Sequence, residues 1–208
     1  MPLLLKLCCE WNEERGVRGE RRRIRVLLPY DLRDKQSLRM SAANKMSYAF
    51  IGRTHSQCRD WSVLLSTVRA EMQWIKRKQV IGDFWQGLEG FAAVDEMLKG
   101  FVRANRNMAG VVLTYAGDFY RGADRYFESE DGDRRVGDSL LMETTACPPI
   151  RSHTNAALCL ALCRGRLYST INWNPAGFTR DDAALFLRRF LEAFTAVFPS
   201  KPENAWAC

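Results

Sequence analysis

The stretch LYSTINWNPAGF, Leu167 to Phe178, constrains the fold more than any other part of the chain. Its alternation puts Leu167, Ser169, Ile171 and Trp173 on one face and Tyr168, Thr170, Asn172 and Asn174 on the other, the pattern of a strand with one face in a core. Pro175 carries no N–H and ends ladder pairing. Thr179 with Asp182 three residues on makes a capping-box start. The helix that follows is predicted to bury Ala184, Leu187, Leu191, Phe194 and Phe198 as one stripe. A half-apolar strand running straight into an amphipathic helix calls for a sheet with helices laid on it.

The remaining pattern agrees with this. Leu4, Leu7, Cys8 and Trp11 share a helical stripe in the first segment, with Glu10, Glu13 and Glu14 turned to water and Gly16 at the end. A basic, Gly-containing connector leads into IRVLLPYDLR, where Ile24, Val26 and Leu28 alternate until Pro29 is expected to interrupt pairing. NKMSYAFIG alternates again, with Met46, Tyr48 and Phe50 on one face and Lys45, Ser47 and Ala49 on the other. Asp60 is placed to cap a helix carrying Trp61, Leu64, Leu65, Val68, Met72 and Ile75. A second helical region is expected from about Asp83 to Arg106. GVVLTYAGDF is a continuous apolar run bounded by glycine, which suits a strand buried on both faces. Asp131-Gly132 signals a hairpin, and strands are expected from about Ser139 to Ala146 and from about Thr154 to Cys163. The last of these turns at CRGR into the stretch described first.

The 208 residues suit one domain, expected over 1–198 with a tail at 199–208. A hydrophobic fraction of 47% excludes a disordered chain. The formal net charge of +7 admits an anionic partner, with clusters at Arg21, Arg22, Arg23 and Arg25, at Lys76, Arg77 and Lys78, and around Lys99, Arg103 and Arg106. These read as solvated faces and helix ends. Seven cysteines occur with no Cys-x-x-Cys and no histidine at zinc-ligand spacing, so no metal site is expected. No apolar run reaches the roughly 18 residues of a membrane span. The start MPLLLKLCCEW has too short an apolar run for a secretory signal and no basic lead, which gives a cytoplasmic reading with reduced thiols.

Three segments in this order carry a family resemblance: LLPYDLR, LTYAGD and the closing GRLYSTINWNPAGF with its helix. Over roughly residues 3 to 198 the chain resembles the C-terminal half of a condensation-domain-like acyltransferase of the chloramphenicol-acetyltransferase-like superfamily. The resemblance implies an α/β (α+β) fold with a mixed, largely antiparallel sheet and helices packed on one main face. It also implies a channel between two similar halves, where the second His of a His-His-x-x-x-Asp-Gly motif acts as general base on a hydroxyl, amine or thiol attacking an acyl thioester. The thioester would be carried by coenzyme A or by phosphopantetheine on an acyl carrier. Channel-facing candidates by resemblance are Arg33, Asn44, Tyr115, Gly117, Asp118, Asn172 and Asn174.

The motif itself is absent. The histidines are His55 and His153, neither beside another His nor followed by Asp-Gly, so no residue is assigned as catalytic. The resemblance implies that the family's first half lies outside this sequence, and that Arg33 is exposed or pairs with something other than the motif's Asp. His55 and Cys58 in THSQC could form a Cys-His pair, yet their place between a strand and a helix cap reads as a surface loop. His153 reads as a loop histidine, and Cys159 and Cys163 as small core residues. Two readings stand for Tyr115, Gly117 and Asp118, channel wall or strand end with a tight turn, and two for Asn172 and Asn174, ligand amides or turn initiators.

The function expected is therefore an acyltransferase-related protein that is inactive alone and needs a partner half. The alternative is a non-catalytic binding or assembly module on the same fold, forming a homo-oligomer. A basic nucleic-acid binder ranks last, because the arginines are dispersed and no binding motif accompanies them.

Overall fold

The computed structural model describes residues 1–17, 19, 22–33, 45–78, 86–87, 90, 96, 99–100, 109–119, 128–130, 133–150 and 153–198. The expected helix from Asp83 to Arg106 falls largely outside them, as do Asn44 and the tail at 199–208.

Helix α1 (Pro2–Glu14) buries Leu4, Leu7, Cys8 and Trp11 as expected, with Leu5 and Cys9 beside them, and exposes Glu10, Glu13 and Glu14. Strands β1 (Arg23–Asp31) and β2 (Met46–Thr54) pair antiparallel over their whole length. Pro29 does not interrupt this ladder, contrary to the sequence expectation, and sits opposite Tyr48. The reason is positional. On its other side β1 meets β3 (Val111–Asp118) only at Val26 and Leu27, so at Pro29 no second ladder needs an N–H.

Strands β1, β3 and β7 (Ala156–Cys163) run parallel, and β8 (Arg166–Trp173) returns antiparallel along β7, giving the order β2-β1-β3-β7-β8. The sheet is mixed, as expected, with two parallel and two antiparallel pairings. A separate small sheet joins β4 (Glu128–Glu130), β5 (Asp133–Val136) and β6 (Ser139–Leu140). Glu130 pairs with Asp133 across the expected hairpin, whose two turn residues lie outside the described set. The strand expected to run to Ala146 stops at Leu140, and 141–150 continues without regular structure.

One face of the sheet holds the main core. Ile24, Val26 and Leu28 of β1, Ala49 and Ile51 of β2, Val111 and Leu113 of β3, and Ala156 and Leu158 of β7 join one buried cluster with residues of four helices. These are α1, α2 (His55–Arg59), α3 (Trp61–Lys78) and α4 (Arg180–Val197). On β2 the inward row is therefore Ser47, Ala49, Ile51 and Arg53. Both expected caps form: Asp60 Oδ1 accepts from the N–H groups of Ser62 and Val63, and Thr179 and Asp182 close a reciprocal capping box.

The buried stripe of α4 meets the expected one only in part, since Leu187 and Phe194 pack half-buried against the core. Ala183, Phe186 and Phe190 are buried, whereas Ala184 is exposed and Phe198 is 59% exposed. The helix is apolar at enough positions to offer two stripes, and aromatic packing selects between them. Phe186 meets Trp11 edge-on at 5.2 Å and Phe178 at 5.7 Å, while Trp11 and Phe178 stack at 5.3 Å. Arg189 to Glu14 at 2.7 Å and Arg15 to Asp182 tie α1 to α4 at the rim of this contact. No helix among the described residues is long and apolar enough to cross a membrane.

Candidate functional site

The parallel strands set one end of the sheet apart. Arg33 just past the carboxyl end of β1, and Tyr115, Gly117 and Asp118 at the carboxyl end of β3, lie at the edge where parallel α/β sheets place their ligands. A bulge between Tyr115 and Gly117 shifts the pairing with β7, and Gly117 takes φ +86, a left-handed conformation that glycine adopts without strain. The Tyr115 side chain is 61% exposed. The strand is thus not buried on both faces as the sequence suggested: Val111 and Leu113 on one face are buried, Val112 and Thr114 on the other are half-buried, and Tyr115 and Ala116 are exposed.

Arg33 is exposed and paired, as the absence of the motif's Asp implied. Its Nε and Nη2 donate to both oxygens of Asp31 at 2.7 to 2.9 Å, and its backbone N–H donates to Asp31 Oδ1 as well. The guanidinium beside it holds the Asp31 carboxyl below its ordinary pKa, through hydrogen bonding first.

Asn172 and Asn174 do not join this group. Asn172 pairs with Ala157, and Asn174 donates its N–H to the carbonyl of Asn155, at the amino end of β7, whereas Tyr115, Gly117 and Asp118 face Leu160 to Leu162. The two sets are more than ~10 Å apart along the strands at about 3.3 Å per residue. The polar row of β8 is also already engaged. Tyr168 donates to Glu143 at 3.1 Å, Thr170 to the carbonyl of Ala146, and Asn172 to the carbonyl of Pro148 at 3.0 Å. The segment 141–150 therefore runs as a strap over the sheet face opposite the helices, where Ala157 and Cys159 of β7 share the face with Asn172 and Thr170. Asn174 Oδ1 accepts from the N–H of Ala176, which is the turn-initiator reading.

THSQC is not a surface loop. Thr54 and Gln57 form a capping box that starts α2, and His55 and Cys58 are each 2% exposed. The signal was present in the sequence as Thr-x-x-Gln. His55 Nδ1 lies 3.6 Å from Glu13 Oε1, and its Nε2 has no hydrogen-bond partner. The contact between the Cys9 and Cys58 thiols lowers the Cys58 pKa and raises that of Cys9, while burial pushes Cys8 up to about 12. Arg53, buried alongside, donates to Glu71 at 2.6 Å. Thiols with no route to solvent make a packed cluster rather than a nucleophile. Cys159 and Cys163 are buried on one face of β7 as expected.

Among the described residues no histidine stands near the exposed edge. His55 lies under α1 on the helix side of the sheet, and His153 occupies a turn with φ 67 at the amino end of β7. Among the described residues no group of three or more His, Cys, Asp or Glu side chains could hold a metal.

No family model matches the chain, and no curated protein matches it. Two solved structures do. The epimerization domain from the third module of tyrocidine synthetase B matches with a TM-score of 0.50 at 9% identity, over 94% of this chain and 41% of its own. The starter condensation domain of rhizomide synthetase matches with a TM-score of 0.50 at 15% identity, over 98% of this chain and 44% of its own. The chain spans less than half the length of either. At these identities the likeness concerns the fold, which is that of part of a condensation-type domain, the chloramphenicol-acetyltransferase-like arrangement expected from the sequence.

Proposed function

We propose that these residues form the C-terminal half of a condensation-like acyltransferase, completed by a first half that carries His-His-x-x-x-Asp-Gly and lies outside these 208 residues. The observation that supports this most is the coverage: nearly the whole chain superposes on well under half of each similar domain. The edge holding Arg33, Tyr115, Gly117 and Asp118 becomes one wall of the channel. Asn172 and Asn174 drop out of that wall, because both amides serve the chain's own turns and strap.

In the assembled protein the second motif histidine removes the proton from a hydroxyl, amine or thiol. That atom then attacks the thioester carbonyl, and the carbon–sulfur bond breaks to release the carrier thiol. The acyl donor is a thioester on coenzyme A or on a carrier-borne phosphopantetheine. Neither of this chain's histidines serves, since His55 is enclosed and His153 sits in a turn away from the edge.

The test is the coding sequence that flanks this one. His-His-x-x-x-Asp-Gly in the same reading frame or in an adjoining gene supports the reading. A neighbourhood without it counts against the reading and favours a non-catalytic module on the same fold.

A further inference from the structure

Helix α1 turns two rows of side chains toward its neighbours. Trp11 stands in one and meets Phe178 and Phe186. The other holds Cys9 and, one turn on, Glu13, and it meets α2. Glu13 Oε1 stands 3.6 Å from His55 Nδ1 and 3.8 Å from Arg59 Nη2, the two residues that flank Cys58 on α2. That facing sets Cys9 opposite Cys58, and their thiols are in contact within the buried core.

A disulfide draws its sulfurs to about 2 Å, which thiols already in contact on neighbouring helices reach by side-chain adjustment. Both thiols are closed off in the resting fold, and bulky reagents do not reach them. The contact nonetheless borders solvent, since Glu13 and Arg59 beside it are 45% and 61% exposed. Hydrogen peroxide is hardly larger than water, so a local opening at these side chains admits it.

We propose that Cys9 and Cys58 form a redox-sensitive lock: a peroxide converts the dithiol to a disulfide that ties α1 to α2, and a thiol reductant reopens it. One sulfur, as thiolate, attacks the O–O bond and becomes a sulfenic acid as hydroxide leaves. The other then attacks that sulfur, the S–S bond forms and the sulfenic oxygen leaves as water. Two thiols and one hydrogen peroxide thus give one disulfide and two waters. Reopening is thiol–disulfide exchange, with the reductant oxidised to its own disulfide. The bond closes a loop from residue 9 to residue 58 that holds β1 and β2, so it restrains the unfolded chain and stabilises the fold. The lock is independent of the acyltransferase reading, since it uses none of the edge residues.

The test is hydrogen peroxide on the folded 208-residue protein, at a dose that fully oxidises the exposed Cys147, followed by alkylation after unfolding and tryptic mass mapping. The peptide Leu7–Arg15 should be joined to Thr54–Arg59, with fragmentation placing the link on Cys9, and dithiothreitol should remove the link. Oxidation should raise Tm by about 5 °C or more, because the closed loop is long. Each variant is compared with and without peroxide: Cys9→Ala should lose both the link and the rise in Tm, and Cys8→Ala should keep both. Cys9 and Cys58 still reduced at that dose, a link through Cys8, Cys58 oxidised to its sulfinic acid without a link, or an unchanged Tm in the linked protein would each overturn the proposal.

Discussion

The side-chain amide of Asn172 donates to the backbone carbonyl of Pro148 across 3.0 Å, and this bond converts a polar strand face into a holder for the chain's own strap. Pro148 is buried and irregular in conformation, so its carbonyl gains no ladder partner from a neighbouring strand. Asn172→Ala should cost about 1 to 3 kcal/mol, because it leaves the carbonyl of the buried Pro148 unmet. Urea denaturation measures it. An unchanged midpoint would mean that the strap is held elsewhere.

The choice between two stripes on α4 is open to mutation. Phe186→Ala should destabilise by about 3 to 5 kcal/mol, because it empties a site closed by Trp11 and Phe178. Phe198→Ala, at a residue 59% exposed, should change stability by less than ~0.5 kcal/mol. The reverse order in thermal or chemical denaturation would restore the stripe expected from periodicity.

Thiol accessibility follows burial rather than acidity. Cys147 is exposed, while Cys8, Cys9, Cys58, Cys159 and Cys163 are buried. Alkylation of the folded protein followed by peptide mass mapping should modify Cys147 rapidly and those five only on unfolding. Fast labelling of Cys58 would show that its sulfur reaches solvent, and would reopen the nucleophile reading.

Cys8 sets a direction for alkaline pH. Its folded pKa of about 12 lies above the ordinary 9.0, so the folded state holds a proton that the unfolded state releases. The corresponding stability is fully present below pH 9 and is lost as pH rises toward 12, to a limit of about 4 kcal/mol. Cys8→Ala should flatten this part of the stability-against-pH curve relative to the parent. A slope equal in both proteins would place the alkaline loss on other groups.

Local signals were the legible ones. Thr179 with Asp182, Asp60 before Trp61, and the stripe of α1 each depend on residues within one turn, and all three form as read. Choices fixed by distant partners were not legible. Pro29 is tolerated because β3 pairs only with Val26 and Leu27, a fact of sheet order. The stripe of α4 depends on Trp11, more than a hundred residues away in sequence. The strand expected to reach Ala146 stops at Leu140, and the carbonyl of Ala146 is taken by the Thr170 side chain instead of a neighbouring N–H. The candidate site divides the same way. Arg33, Tyr115, Gly117 and Asp118 share an edge because β1 and β3 are parallel, whereas the antiparallel return of β8 carries Asn172 and Asn174 to the other end.

The acyltransferase reading stands or falls on where the base resides. Acyl transfer from a thioester should be assayed with these 208 residues alone and then mixed with the half bearing His-His-x-x-x-Asp-Gly. The chain alone should be inert, and the mixture should turn over and lose activity when the second motif histidine is replaced by alanine. Turnover by the chain alone that disappears in His55→Ala or His153→Ala would put the base within these residues and contradict the reading, as would a mixture that stays inert.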